Sequence, residues 1–289
     1  LSGGGQPGWT ADQVAEYGGR TVESVVPDLF ENIIGGTNDD ELTGNDVSNL
    51  LVGGPGVDII NGKRGSDELV GGTEDDQFVF EEDWGIDEVV EGPDAGEDTM
   101  DFQAVSDDLT FTVGTNFITA TDGINTANHL GTDTNHIERL LGGSGNNTLI
   151  AADTPNTWII TGENEGTING VYFRDVANLI GGSDVDTFTF EADGRITGNV
   201  SSGDGDDVFN LRSGHGIDGI LNGGLGIDTL LGQTVYNITG TNSGDIPGLV
   251  GLFASIENLL GGDDVDTFNV GPLGQLTGLA DGGLGDDEM

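Results

Sequence analysis

This chain is predicted to be all-β, a parallel β-solenoid with about twenty residues per coil. Three observations lead there. Five nonapeptides run without a gap from residue 35 to 79, each with an apolar residue at its eighth position. Glycine accounts for 53 of the 289 residues, which suits an architecture of many tight turns. A larger module at 178–207 also recurs at 258–287, so repetition reaches far beyond the first nonapeptides.

The first 34 residues are read as a cap. Thr10-Ala-Asp-Gln13 forms a capping box, Trp9 and Val14 are placed as a hydrophobic staple, and Gly18-Gly19 offers a C-cap. A short helix at 11–17 is expected, covering the unpaired strand edges that a solenoid end exposes.

The nonapeptides follow: GGTNDDELT, GNDVSNLLV, GGPGVDIIN, GKRGSDELV and GGTEDDQFV. Position six carries Asp40, Asn49, Asp58, Asp67 and Asp76, and position eight Leu42, Leu51, Ile60, Leu69 and Phe78. The last three residues of each predict a short strand that points position eight inward. The first six predict a turn whose glycines permit backbone angles that other residues resist. Two nonapeptides make one coil, so turns starting at 35, 53 and 71 stack on one side and those at 44 and 62 on the other. Stacked strands lie about 4.8 Å apart. Asp40, Asp58 and Asp76 then form a ladder of carboxylates, and Asn49 with Asp67 a weaker one, since asparagine carries no charge.

Such a ladder repels itself unless a cation neutralises it. Calcium takes roughly 6–8 oxygen ligands at about 2.3–2.6 Å, and carboxylates from two stacked turns together with turn carbonyls are donors of that kind. The repeat fits G-G-x-G-x-D-x-U-x, and residues 35–79 resemble the RTX, or haemolysin-type, calcium-binding nonapeptide-repeat proteins. The resemblance implies a right-handed parallel β-roll over 35–98, several bound Ca2+ ions, and a secreted bacterial protein working outside the cell or on its surface.

Beyond this run the nonapeptide returns singly at 142, 181, 202, 223, 261 and 282. Asp186, Asp207 and Asp228 stand at equal steps, as do Asp266 and Asp287, and all five join the expected calcium ligands. Asn147 lacks the charge, so its turn is read as structural. NLIGGSDVDTFTF (178–190) recurs as NLLGGDDVDTFNV (258–270). WIITGENEGTI (158–168) is echoed by YNITGTNSGDI (236–246) and by FITATDGI (117–124), and FENIIGG, IERLLGG, VANLIGG and IENLLGG share a phrase. The intervals 142–181 and 223–261 are near twice the intervals 181–202, 202–223 and 261–282. That predicts two coils in each long interval and about four in the 80-residue module. Residues 99–289 are therefore read as a continuing solenoid. Their module resembles repeats of giant bacterial RTX adhesins. GIDEVVEGPDAGED (85–98) is read as an extension of the calcium edge.

Composition narrows the function. There are 52 acids against 7 bases, a formal net charge of -45. Nucleic acid and anionic membranes are poor partners, because both need clustered Lys and Arg. No cysteine is present for disulfides, and no apolar run is long enough to span a membrane. The chain does not begin with Met, which suits a processed chain or a segment of a longer one. His129, His136 and His215 fall in no H-E-x-x-H, and there is no G-x-S-x-G. A polysaccharide lyase or epimerase on a parallel β-helix is the enzymatic alternative, but it needs bases to neutralise a uronate. Lys63 and Arg64 sit in a nonapeptide turn and are read as softening local repulsion. The favoured reading is non-enzymatic: a calcium-folded structural or adhesive protein. Its expected partners are calcium, copies of itself joined head to tail in a fibre or biofilm matrix, flanking repeats of a giant adhesin, and cell-surface polysaccharide.

Overall fold

The computed structural model describes residues 22–23, 32–91, 96–130, 137–211, 216–232 and 235–289. The expected helix at 11–17, His136 and His215 lie outside them. The described residues are all-β; they include no helix, and so none long and apolar enough to cross a membrane. They fall into two compact units. One holds residues up to Phe111 with Asn116–Gly145, the other Thr112–Thr115 with Asn146–Met289.

In the first unit each nonapeptide ends in a strand, and consecutive strands alternate between two sheets. Glu41–Thr43, Ile59–Asn61 and Gln77–Val79 belong to one sheet, Leu50–Pro55 and Glu68–Thr73 to the other. Each strand pairs in parallel with the strand one circuit later. Leu42 opposes Ile60 and Ile60 opposes Phe78, each a step of two nonapeptides. That column continues through Met100 to Leu140 at longer steps. A second column runs Ile33, Leu51, Leu69, Val89. Side chains alternate across a strand, so an apolar residue at every position eight forms an unbroken buried stripe. Leu42, Leu51, Ile60, Leu69 and Phe78 are all fully buried. Phe80 stacks on Phe102 at 4.4 Å, with Trp84 and Phe111 edge-on around them.

The second unit uses the same register with larger side chains. Trp158, Phe188 and Phe209 oppose one another on successive strands and stack at 5.2 and 5.0 Å. Leu149, Leu179, Val200, Leu221 and Phe253 form the column of the other sheet. The circuits from Thr187 to Val208 and from Val208 to Thr229 are equal and slightly longer than those of the nonapeptide array at 35–79, in agreement with the expected coil.

The long intervals do not hold pairs of coils. They hold antiparallel meanders instead, so neither unit is purely parallel. Thr157–Gly162, Glu165–Ile168 and Val171–Arg174 run antiparallel in sequence, as do Val235–Gly240, Ser243–Ile246 and Val250–Ala254. In the first unit Phe117–Thr121 pairs antiparallel with Thr126–Leu130. The cause is turn chemistry. Asn169 and Gly170 have φ of 49° and 94°, the left-handed pair that a two-residue hairpin turn requires, and Asn164, Asn242 and Gly248 are left-handed at the other reversals. Of the echoed phrases, WIITGENEGTI and YNITGTNSGDI thus span both arms of a hairpin, and FITATDGI is a first arm with the start of its turn.

The 80-residue module is also not four full coils. Thr187–Phe190 lies in one sheet of the second unit, whereas its copy Thr267–Val270 pairs with Val235–Gly240 in the other. A whole number of coils would return the copy to the same sheet. A meander takes up chain without completing a circuit, which moves the repeat to the opposite face.

Candidate metal centre

Every position-six side chain follows a turn and precedes a strand, which aims it along the stacking direction. One carboxylate oxygen is used for register. Asp58 Oδ1 accepts the Asp40 N–H at 2.7 Å, Asp76 Oδ1 the Asp58 N–H at 2.7 Å, and Asp98 Oδ1 the Asp76 N–H at 2.8 Å. Glu138 Oε2 accepts the Asp98 N–H at 2.8 Å. On the other sheet Asp67 accepts from Asn49 at 2.7 Å and Asp87 from Asp67 at 3.0 Å. In the second unit the ladder runs from Asn156 to Asp186 (2.8 Å), Asp207 (2.7 Å), Asp228 (2.9 Å) and Glu257 (2.9 Å). Asp266 and Asp287 form a separate pair at 3.0 Å, before strands of the opposite sheet.

The second oxygen is different. Oδ2 of Asp58, Asp67, Asp186, Asp207 and Asp228 is buried with no hydrogen-bond partner. In four of these five it stands directly over the position-one glycine. A Cβ on Gly53 would strike Asp58 Oδ2, and Gly62, Gly181 and Gly223 stand in the same relation to Asp67, Asp186 and Asp228. At Asp207 position one is Ser202, whose hydroxyl donates to Gly223 O at 2.7 Å. A backbone carbonyl from the next circuit enters the same space: Gly71 O over Gly53, Ser202 O over Gly181, Ser255 O over Gly223. The first glycine is therefore required for room, not for conformation. Left-handed angles occur at positions two and four instead, as at Gly54 (φ 114°) and Gly56 (φ 131°). Gly53→Ala is expected to cost about 1–3 kcal/mol by overpacking. Gly262→Ala, where a Cβ meets nothing, is expected to stay within about 0.5 kcal/mol of the parent. Urea unfolding of both variants in calcium checks this, and equal losses would refute it.

A buried carboxylate with one oxygen left unpartnered is costly in its ionised form. Burial pushes the Asp67 and Asp186 carboxyls up to about 6 and those of Asp87 and Asp228 to about 7, and raises Asp58 and Asp207 as well. Four of the bases form ion pairs elsewhere. Lys63 pairs with Glu81, Arg64 with Asp83, Arg174 with Asp175, and Arg195 with Glu163 and Asp218, all outside the ladders.

The donor set fits a hard cation: all oxygen, anionic, buried, and converging over spaces that glycine keeps open. Asp76, Glu91 and Asp98 form one cluster, each with one oxygen within 4.8 Å of the others. Two oxygens on one calcium ion lie at most about 5 Å apart, given bonds of about 2.3–2.6 Å.

The ten residues singled out from the repeat are thus brought into ladders, with Asn49 as an uncharged rung. The repeat did not disclose Glu138, Asn156 or Glu257, because the steps to them are irregular; Asp87, Glu91 and Asp98 fell within the stretch read as an extension of the edge. The shared phrase held a signal, since the acid of IERLLGG is Glu138 and that of IENLLGG is Glu257. No protein-family model matches this chain, and no curated protein matches it in sequence.

Proposed function

We propose that this chain is a calcium-folded β-solenoid serving a structural or adhesive role outside the cell, wound right-handed like the RTX proteins that residues 35–79 resemble. The supporting observation is the row of buried, unpartnered carboxylate oxygens held over glycine-cleared spaces. Bound calcium would supply the neutralising charge. The chain does the rest: Oδ1 atoms fix the register, while Oδ2 atoms and turn carbonyls of adjacent circuits face the ion. The unfolded chain has no such site, so the free energy of binding becomes free energy of folding. Extracellular calcium modules bind at about 10⁻⁴–10⁻³ M. The protein would stay unfolded where calcium is scarce and fold on reaching an extracellular fluid. Its partners on this reading are copies of itself or flanking repeats, and anionic polysaccharide bridged through the ion.

Circular dichroism and calorimetry test this together. Excess chelator is expected to remove most of the β-sheet signal, and calcium to restore it cooperatively with several ions bound. A sheet spectrum indifferent to chelator, with no heat of calcium binding, would refute it.

A further inference from the structure

Resting on the calcium reading, we propose that Asn156 is a built-in substitute for the ion. Its side-chain amide fills the cation position of its own circuit, so residues 148–174, ahead of the Asp186 turn, form the part of the second unit that needs no metal of its own.

The stretch AADTPNTWI (151–159) occupies a nonapeptide frame. Asn156 stands at position six and Trp158 at position eight, but Ala151 and Ala152 replace the glycines of positions one and two. Asn156 heads the ladder of Asp186, Asp207 and Asp228, donating its N–H to Asp186 Oδ1 at 2.8 Å. Four oxygens surround its Nδ2: Thr154 O at 2.5 Å, Asp186 Oδ1 at 2.8 Å, Ala152 O at 3.0 Å and Gly181 O at 3.2 Å. These are carbonyls of its own turn, a carboxylate of the next circuit and the position-one carbonyl of that circuit. Over Gly53 and Gly223 a carbonyl of the next circuit likewise converges, there with a carboxylate oxygen of the same turn.

An amide nitrogen brings two protons and a partial positive charge to that point without the desolvation of a full charge. Its own oxygen is also held, accepting from Asn169 Nδ2 at 2.9 Å, while Asn169 Oδ1 accepts the Thr157 N–H at 2.8 Å. The amide is thereby tied to the adjoining hairpin turn. With no carboxylate oxygen over position one, Ala151 fits there and is buried. Asparagine at position six is not sufficient by itself. Asn49 turns its oxygen toward Gly44 and accepts the Asn45 N–H at 2.7 Å, and its glycine is retained.

Hydrogen exchange on the full chain tests the proposal. In excess chelator, amides of 157–174 are expected to exchange about tenfold or more slowly than those of 41–79. In calcium both regions should be protected. Asn156→Asp should abolish the difference in chelator, and when Ala151→Gly is added to clear the room, calcium should restore protection with one more ion bound by calorimetry. Equal loss of protection at 157–174 and 41–79 in the chelated parent would overturn the proposal, and that comparison needs no variant to fold. So would an Asn156→Asp chain that exchanges like the parent in chelator. Full protection of both regions in chelator would overturn the calcium reading itself, which keeps the two failures apart.

Discussion

Asp207→Asn is expected to stabilise the protein in chelator and destabilise it in calcium. Asp207 sits mid-ladder: Oδ1 accepts the Asp186 N–H at 2.7 Å, and its own N–H goes to Asp228 Oδ1 at 2.9 Å. Asparagine keeps an oxygen for the first bond and leaves the second untouched. It replaces the buried, unpartnered Oδ2 with a donor. Without metal, that removes a charge that burial disfavours and that also repels Asp186 and Asp228. A gain in stability follows in chelator. With calcium the same change deletes an anionic ligand, and a loss on the order of 3 kcal/mol is expected, as for breaking a buried ionic contact. Urea midpoints in the two conditions decide it. If the chelated parent is already unfolded, the osmolyte concentration needed to fold it reports the same sign. A ladder that was only a hydrogen-bonded scaffold would give one sign in both conditions.

This sign reversal depends on a division between two oxygens that no sequence pattern displays. The repeat made position six legible because its period is exact over 35–79: Asp40, Asp58 and Asp76 recur at one fixed interval, and so do the position-eight residues that set the register. It did not reveal that Oδ1 serves the backbone while Oδ2 is left for something else. Nor did it give the reason for the first glycine. Conformational freedom is the usual account of glycine in a turn, yet at Gly53 the constraint is the Asp58 oxygen overhead.

The meanders were hidden for a related reason. The interval 142–181 fits two coils by length alone, and length carries no information about strand direction. The deciding signal was local. ING at 168–170 places Asn-Gly between alternating apolar arms, which specifies a hairpin. Where local turn chemistry and long-range periodicity disagreed, the turn prevailed. A two-residue turn forces the next strand to lie antiparallel beside the last, before any coil can close.

The pH response should likewise invert with calcium. In the metal-free protein the folded-state pKa values of Asp67 and Asp186, about 6, and of Asp87 and Asp228, about 7, lie above the ordinary 3.8. The fold therefore holds these protons more tightly than the unfolded chain does. By linkage, their contribution is fully present below about pH 4 and is lost as pH rises through 6 to 7. Acidification also relieves the repulsion behind a formal charge of -45. Chelated protein should thus gain stability, and hydrogen-exchange protection at 41–79, as pH falls toward 4. Calcium requires the ionised carboxylates, so in its presence acid competes with the metal and stability should fall over the same window. Thermal midpoints measured across that range in chelator and in calcium should converge or cross. A chelated protein that grows more stable from pH 4 to 7 would mean that the Oδ2 atoms are solvated or paired after all, and that the ladders do not need a cation.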